Sequence, residues 1–300
     1  MAAAGQAARL PAALRRAGPD LFVPFSFGIA RRMEQLSWGE LVEDPGLAAF
    51  AIKSAEKGLG ADGVINWFDG WLEAESAGLA CERDGDGGVG VAPTPLKVAP
   101  DSSGVAASML EGRPAKVALD IAARLCQQAG EHGLVFGYLT GPATLRVRLY
   151  GAAPGDKAAN GMAIETAGSL ALALARAYCD AGVSALVVSE EESCVDETAV
   201  AALAPLFNLA DYYGAPVIHL SRQPLSAEAA GLLEKLGARI PGADPDIIAL
   251  PIGNASVDEC AQAWRASSRG NRRLVISTGD IPADTPAEDL IALGKIIKAA

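Results

Sequence analysis

The stretch "ARIPGADPDIIALPI" (238–252) decides between two folds. Its first three residues read as a short β-strand and its "IIALPI" (247–252) as another, with turn residues between them. Six further apolar, β-rich runs are "LFVPF" (21–25), "GVINWF" (63–68), "LVFGYL" (134–139), "ALVVS" (185–189), "PVIHL" (216–220) and "RLVIST" (273–278). Helical patterns occupy 37–58, 114–130, 157–181, 196–213, 225–236, 256–266 and 286–298. Continuous apolar strands alternating with helices mean a parallel sheet covered on both faces. With "ARI" counted, eight strands predict a (β/α)8 barrel; without it, an open doubly wound sheet returns. We count it, and expect one TIM-barrel domain over residues 1–300.

Two segments lie outside the alternation. The Ala/Arg-rich start predicts an N-terminal helix ending near Gly18-Pro19. Residues 69–113 contain "LACERDGDGGVGVAP" (79–93), whose Asp-Gly repeats between short alternating runs predict a β-hairpin excursion after the second strand, lying over the barrel mouth.

A formal charge of −11 argues against a nucleic-acid partner, whose phosphates demand a basic face. The longest apolar stretch, 167–182, is broken by Arg176 and Asp180, so no membrane span is expected. Five scattered cysteines without a CxxC pair read as reduced thiols and fit a cytoplasmic protein handling small molecules. No strand is followed by GxGxxG or GxxxxGK[ST], which leaves dinucleotide and P-loop binding without support.

In a barrel the C-terminal strand ends carry the chemistry. Read in order, they present Asp69, then the run Glu190–Glu192, then His219 with Ser221 and Arg222, then Asn254 and Asp280. His132 precedes the third strand and falls on the opposite side. Asp69, Glu190 and His219 are the catalytic candidates: a histidine titrating near neutrality beside carboxylates suits proton transfer. Arg148, Arg222, Glu73, Glu75, Asn254 and Asp280 are candidates for holding substrate, the arginines as forks for a carboxylate. Each has a plainer reading as a cap or turn residue; their convergence on one face argues for use.

"GADGVINWFDGWLEAESAGL" (60–79), "GPATLRVRLYG" (141–151), "DAGVSALVVSEEES" (180–193), "PVIHLS" (216–221) and "STGDIPADTPAEDLIAL" (277–293) occur in an order that resembles the uroporphyrinogen decarboxylase superfamily, with its corrinoid-linked methyltransferases of the methylcobamide:coenzyme M type. The resemblance implies the same barrel with its site at the C-terminal face. It places Asp69 where the decarboxylases keep an essential aspartate. Their P-x-x-x-x-R-Q-A-G-R signature has become "PFSFGIARRM" (24–33), with Ile29 and Met33 at the arginine positions, and Arg148 replaces a tyrosine. The methyltransferase branch is matched by "LEAESAG" (72–78) and by "STGDIPADTP". That branch holds zinc through H-x-C and an end-motif cysteine. Here the first has become His219-Leu220-Ser221 and no cysteine stands between Gly279 and Asp280.

The resemblance therefore implies a zinc-independent methyl (one-carbon) transferase, with no tightly bound cofactor and no metal. Corrinoid or tetrahydrofolate would be co-substrate, and a corrinoid carrier protein and a second copy of the chain are the expected partners. A cofactor-free decarboxylase is the alternative reaction; a non-catalytic binding or partner subunit on the same scaffold is the alternative of another class.

Overall fold

The computed structural model describes residues 9–66, 69–84, 87–89, 93–97, 102–130, 133–151, 157–191, 195–267 and 272–299. Elements run in the order α1 (Arg9–Arg15), β1 (Leu21–Val23), α2 (Phe27–Met33), α3 (Trp38–Glu43), α4 (Pro45–Leu59), β2 (Gly63–Asn66), α5 (Leu72–Ser76), α6 (Ser102–Glu111), α7 (Arg113–Gln128) and β3 (Leu134–Thr140). They continue with α8 (Pro142–Tyr150), α9 (Lys157–Ala181), β4 (Ala185–Glu190), α10 (Glu197–Tyr213), β5 (Val217–Ser221), α11 (Ala227–Lys235), β6 (Ile247–Leu250), α12 (Val257–Ala266), β7 (Leu274–Ser277) and α13 (Ala287–Lys298). Local sequence explains most helix ends. Asp44 caps α4, with Pro45 at its first position, and Gly60 closes it in the left-handed region at φ 65°. Ser37/Glu40 and Ser256/Glu259 are reciprocal capping boxes opening α3 and α12.

Every strand ladder is parallel, as the uninterrupted apolar runs require. The strands form two sheets, ordered β2-β3-β4-β5 and β1-β7-β6. Both curl around one inner core: Val23, Ile65, Phe136, Val187, Ile218, Ile247 and Ile276, from all seven strands, share a cluster. Leu10 and Leu14 of α1 plug its lower end, and Arg9 donates to Gly133 O at 3.4 Å beside the start of β3. The other strand face packs on the helices through a second cluster that includes Val135, Leu186, Val188 and Val217. The N-terminal helix thus stands where expected, ending at Arg15.

The hydrogen-bonded ring is not continuous. Between β1 and β2 the link is Asp62 N–H to Phe22 O and Phe22 N–H to Asp62 Oδ2, both 2.8 Å. On the other side, the expected sixth strand is a single parallel bridge, Ile218 with Arg239. The cause lies in the opening stretch. Parallel neighbours need a crossover of roughly a dozen residues or more, whereas 241–246 contain turns and no helix. Arg239 is held instead by Asp244 (2.6 Å) and Asp246 (3.1 Å), which pins the chain in a bend before β6. The eight-stranded expectation thus meets seven strands among the described residues, with a single bridge in place of the sixth expected strand. Of the hairpin expected after β2, the described residues show one antiparallel bridge, Arg83 with Val89, with Asp84 N–H donating to Gly88 O.

Candidate active site

Strand alternation sets which side chains reach the strand ends' central hollow. Tyr138 and Val187 are paired neighbours and belong to the inner cluster, as do Ile218 and Leu220. Their alternates Leu139, Val188 and Val217 belong to the helix-side layer. Because successive side chains point to opposite faces, β4 presents Ala185, Val187, Ser189 and then Glu191 inward, and Leu186, Val188 and Glu190 outward. On β5, His219 pairs with Val188 and shares its outward face.

Glu190 accordingly turns away from the hollow. It is fully buried and accepts the backbone N–H of Ala143 (3.0 Å) and Thr144 (2.7 Å) at the N-terminus of α8. Burial raises its carboxyl to about 7 against those hydrogen bonds. Its place is that of a helix-anchoring carboxylate, on the side opposite the one expected. Glu190→Ala is expected to cost about 1–3 kcal/mol in urea unfolding, because two N–H groups lose their acceptor, with turnover of the folded protein unchanged.

His219 is also fully buried, and neither ring nitrogen has a hydrogen-bond partner. Burial lowers its pKa to about 4 and no neighbouring charge offsets the effect, so His219 does not face Asp69 or Glu190 as expected. His219→Leu should stabilise the fold by about 1–3 kcal/mol, since an unsatisfied buried polar group is removed. With the folded pKa below the unfolded one, the unfolded state binds more protons between pH 4 and 6.5, so wild-type stability drops as the pH is lowered through that window. The gap between variant and wild type should widen by up to about 1.4 kcal/mol per pH unit over that window, measured by denaturant midpoints. A constant gap would refute the burial argument.

The residues that do meet at the strand ends form two sets of ion pairs. Buried Asp69 accepts Trp71 N–H at 2.9 Å and pairs with Arg83, which also pairs with Glu75 through Nε at 3.1 Å. Arg83 comes from the excursion after β2, donates to Gly87 O (2.7 Å) and lies 5.3 Å over the Trp38 ring. Burial raises the Asp69 carboxyl even though Arg83 opposes it. Arg148 of α8, also buried, donates to Gly70 O, stacks 5.1 Å from the Trp71 ring and pairs with Glu191 Oε2 at 2.8 Å. Tyr138 completes the cluster, its hydroxyl donating to Glu191 Oε1 at 2.9 Å; burial raises that hydroxyl's pKa well above the ordinary value.

Asp280, after β7, is exposed to solvent yet has protein packed closely around its carboxyl. That enclosure, together with the charge of Glu191, raises its carboxyl to about 7. It has no ion pair among the described residues. Glu73 is buried against β3, accepting Thr140 N–H (2.7 Å) and hydroxyl (2.9 Å), so its carboxylate joins α5 to the strand. Arg222 is exposed and bound only through its N–H to Glu190 O (2.8 Å), and Asn254 is an exposed turn residue. Glu192 and His132 lie outside the described residues.

Sequence reasoning passed over Arg83, Tyr138 and, within its own acidic run, Glu191. The two-residue period of β4 was the available signal for Glu191, but its phase needs a structure. Nothing local marks Arg83, whose partners are set by a loop closing back.

A zinc held as the corrinoid-linked methyltransferases hold theirs does not fit these residues. His219 has both nitrogens sealed on the helix side, and Ser221 Oγ is spent donating to Gln223 O at 2.7 Å. The described residues bring together no group of three His, Cys, Asp or Glu side chains able to hold a metal. No described helix is long and apolar enough to cross a membrane.

The fold is similar to that of a methyltransferase of known structure. The methyltransferase from Methanosarcina mazei superposes with a TM-score of 0.77 over 98% of each chain at 15% identity. A 2,3-dimethylmalate lyase of the PEP mutase/isocitrate lyase superfamily aligns at a TM-score of 0.39 and 12% identity, over 98% of this chain and 81% of its own, too slight a likeness to bear on the fold. No family model and no curated protein matches the chain.

Proposed function

We propose that the chain is an enzyme on a (β/α)8 scaffold of the uroporphyrinogen decarboxylase/corrinoid-linked methyltransferase kind, and that it transfers a methyl group to a small-molecule acceptor without zinc. Asp280 carries the reading: a solvent-reachable carboxyl near neutral pKa, lacking a cation partner and touched by the charge of Glu191. A group poised near the working pH is suited to exchange protons. The likeness in fold to a methyltransferase supports the choice of reaction.

In this reading the acceptor's X–H delivers its proton to the Asp280 carboxylate as the new X–C bond forms. The bond from carbon to its carrier breaks, and its electron pair stays with the carrier. A corrinoid or folate-type co-substrate supplies the activated methyl. Arg148 fixes Glu191 between itself and Tyr138, so the charge beside Asp280 stays in place and keeps its proton affinity high. The Asp69–Arg83 pair ties the excursion to the site and shapes its rim.

Charge favours transfer over decarboxylation of a polyacid. Asp69, Glu75, Glu191 and Asp280 outnumber the guanidiniums of Arg83, Arg113 and Arg148, and Arg83 and Arg148 are already engaged. That excess of acid disfavours binding several substrate carboxylates. The test is incubation with methylcobalamin or methyltetrahydrofolate and a panel of thiol and amine acceptors, read by mass spectrometry of the acceptor. Methylated product is the expected result. Carbon dioxide release from a carboxylic acid, without methylation, would replace this reading with the lyase one; no turnover with either set would favour the binding subunit.

A further inference from the structure

Beside the Asp69–Arg83 pair, between α3, α5 and α7, lies a cavity of about 160 Å³. Drug-sized sites run to about 300–1,000 Å³, so this one suits a molecule of few heavy atoms. Trp38, Val42 and Val117 give it apolar walls, and its charged lining among the described residues is Asp69, Glu75, Arg83 and Arg113. Those four charges balance in number but not in place. Asp69 and Glu75 share the one guanidinium of Arg83, whose nitrogens are all spent: Nε donates to Glu75 (3.1 Å), Nη1 to Gly87 O (2.7 Å) and Nη2 to both carboxylates. One negative charge is left over at that end. Its influence is felt at Asp69, whose carboxyl is raised by burial and further by the charge of Glu75.

Arg113 is the converse, a guanidinium with no ion pair among the described residues. It opens α7, where Gly112 supplies no side-chain cap and the positive end of a 16-residue helix also favours an anion. Ser76, next to Glu75 on α5, accepts Ala115 N–H at 3.0 Å, and a side chain at Gly112 would collide with the Ser76 backbone. The helices that carry the two unmatched charges are thus locked together. We propose that this cavity binds a small zwitterion, its carboxylate on Arg113 and its ammonium at Asp69 and Glu75, with a short aliphatic chain against Trp38, Val42 and Val117. An anion alone would answer Arg113 but add to the acid excess at Asp69. A cation alone would leave Arg113 unmatched. A molecule with one charge at each end removes both imbalances and enters without net charge.

The test is calorimetric titration of the full chain with 4-aminobutanoate, butanoate, butylammonium and butanamide. Saturable binding of 4-aminobutanoate is expected, about tenfold tighter than any of the other three, the worth of one charged hydrogen bond. Arg113→Gln should bring the zwitterion down to the affinity of butylammonium. Val117→Phe, which fills the cavity without changing a charge, should weaken 4-aminobutanoate as well. Absence of saturable 4-aminobutanoate binding to the wild type would overturn the proposal. So would butanoate or butylammonium binding as tightly as the zwitterion, or full affinity in Arg113→Gln. The wild-type comparisons stand even if a variant misfolds. Calorimetry reads binding without turnover, so its failure is distinguishable from failure of the methyl-transfer assay.

Discussion

Asp280→Asn is expected to lower turnover about 10²–10⁴-fold, the usual worth of a positioned general acid or base. The amide keeps the size of the side chain and can still contact the Ile281 backbone, but it cannot take up the acceptor's proton. Because desolvation and the charge of Glu191 raise the wild-type carboxyl to about 7, and the base form is the working one, kcat/KM should rise with pH and level off above that value. The variant should lose the bend as well as the rate. Tyr138→Phe removes the hydrogen bond that holds Glu191 and should shift the bend rather than erase it. A wild-type profile flat through neutrality, or an Asn variant with full activity, would remove Asp280 from the mechanism and leave the proposed reaction without its proton acceptor.

The largest loss of stability should come from the opposite end of the strands. Asp20, before β1, accepts Trp264 Nε1 (2.8 Å), Arg273 N–H (2.8 Å) and the Arg273 guanidinium at 2.7 and 3.0 Å. Arg273 also lies 5.7 Å over the Trp264 ring. Both charged residues are buried. Asp20→Ala leaves a buried guanidinium without its counter-charge, which typically costs about 3–5 kcal/mol. The loss should appear as an earlier urea midpoint with an unchanged slope. Activity per folded molecule should hold, since no residue of the proposed site touches this group. Asp20→Ala/Arg273→Leu should recover much of the loss, because removing both partners leaves no orphaned charge. A double variant no better than the single one would show that packing, not the unpaired charge, carries the cost.

The strands and helices of this protein were legible because burial on both faces of a parallel sheet demands unbroken apolar runs, and helix ends carry their own caps. Residues such as Asp44, Ser256 and Gly214 announce those ends locally. The excess of acid over base and the absence of nucleotide-binding loops could also be read directly. Three matters could not. Whether "ARI" is a strand depended on its partners, and the six residues after it are too few to let it and β6 lie side by side in parallel. Which of Glu190 and Glu191 enters the hollow depended on strand phase, since a shift of one residue reverses the face. Arg83 found Asp69 and Glu75 through a loop that closes on the site, a meeting no spacing encodes. Local pattern dictates elements because their hydrogen bonds and caps are short-range. The side chains that meet at the strand ends come from distant segments, and only the packed chain brings them together.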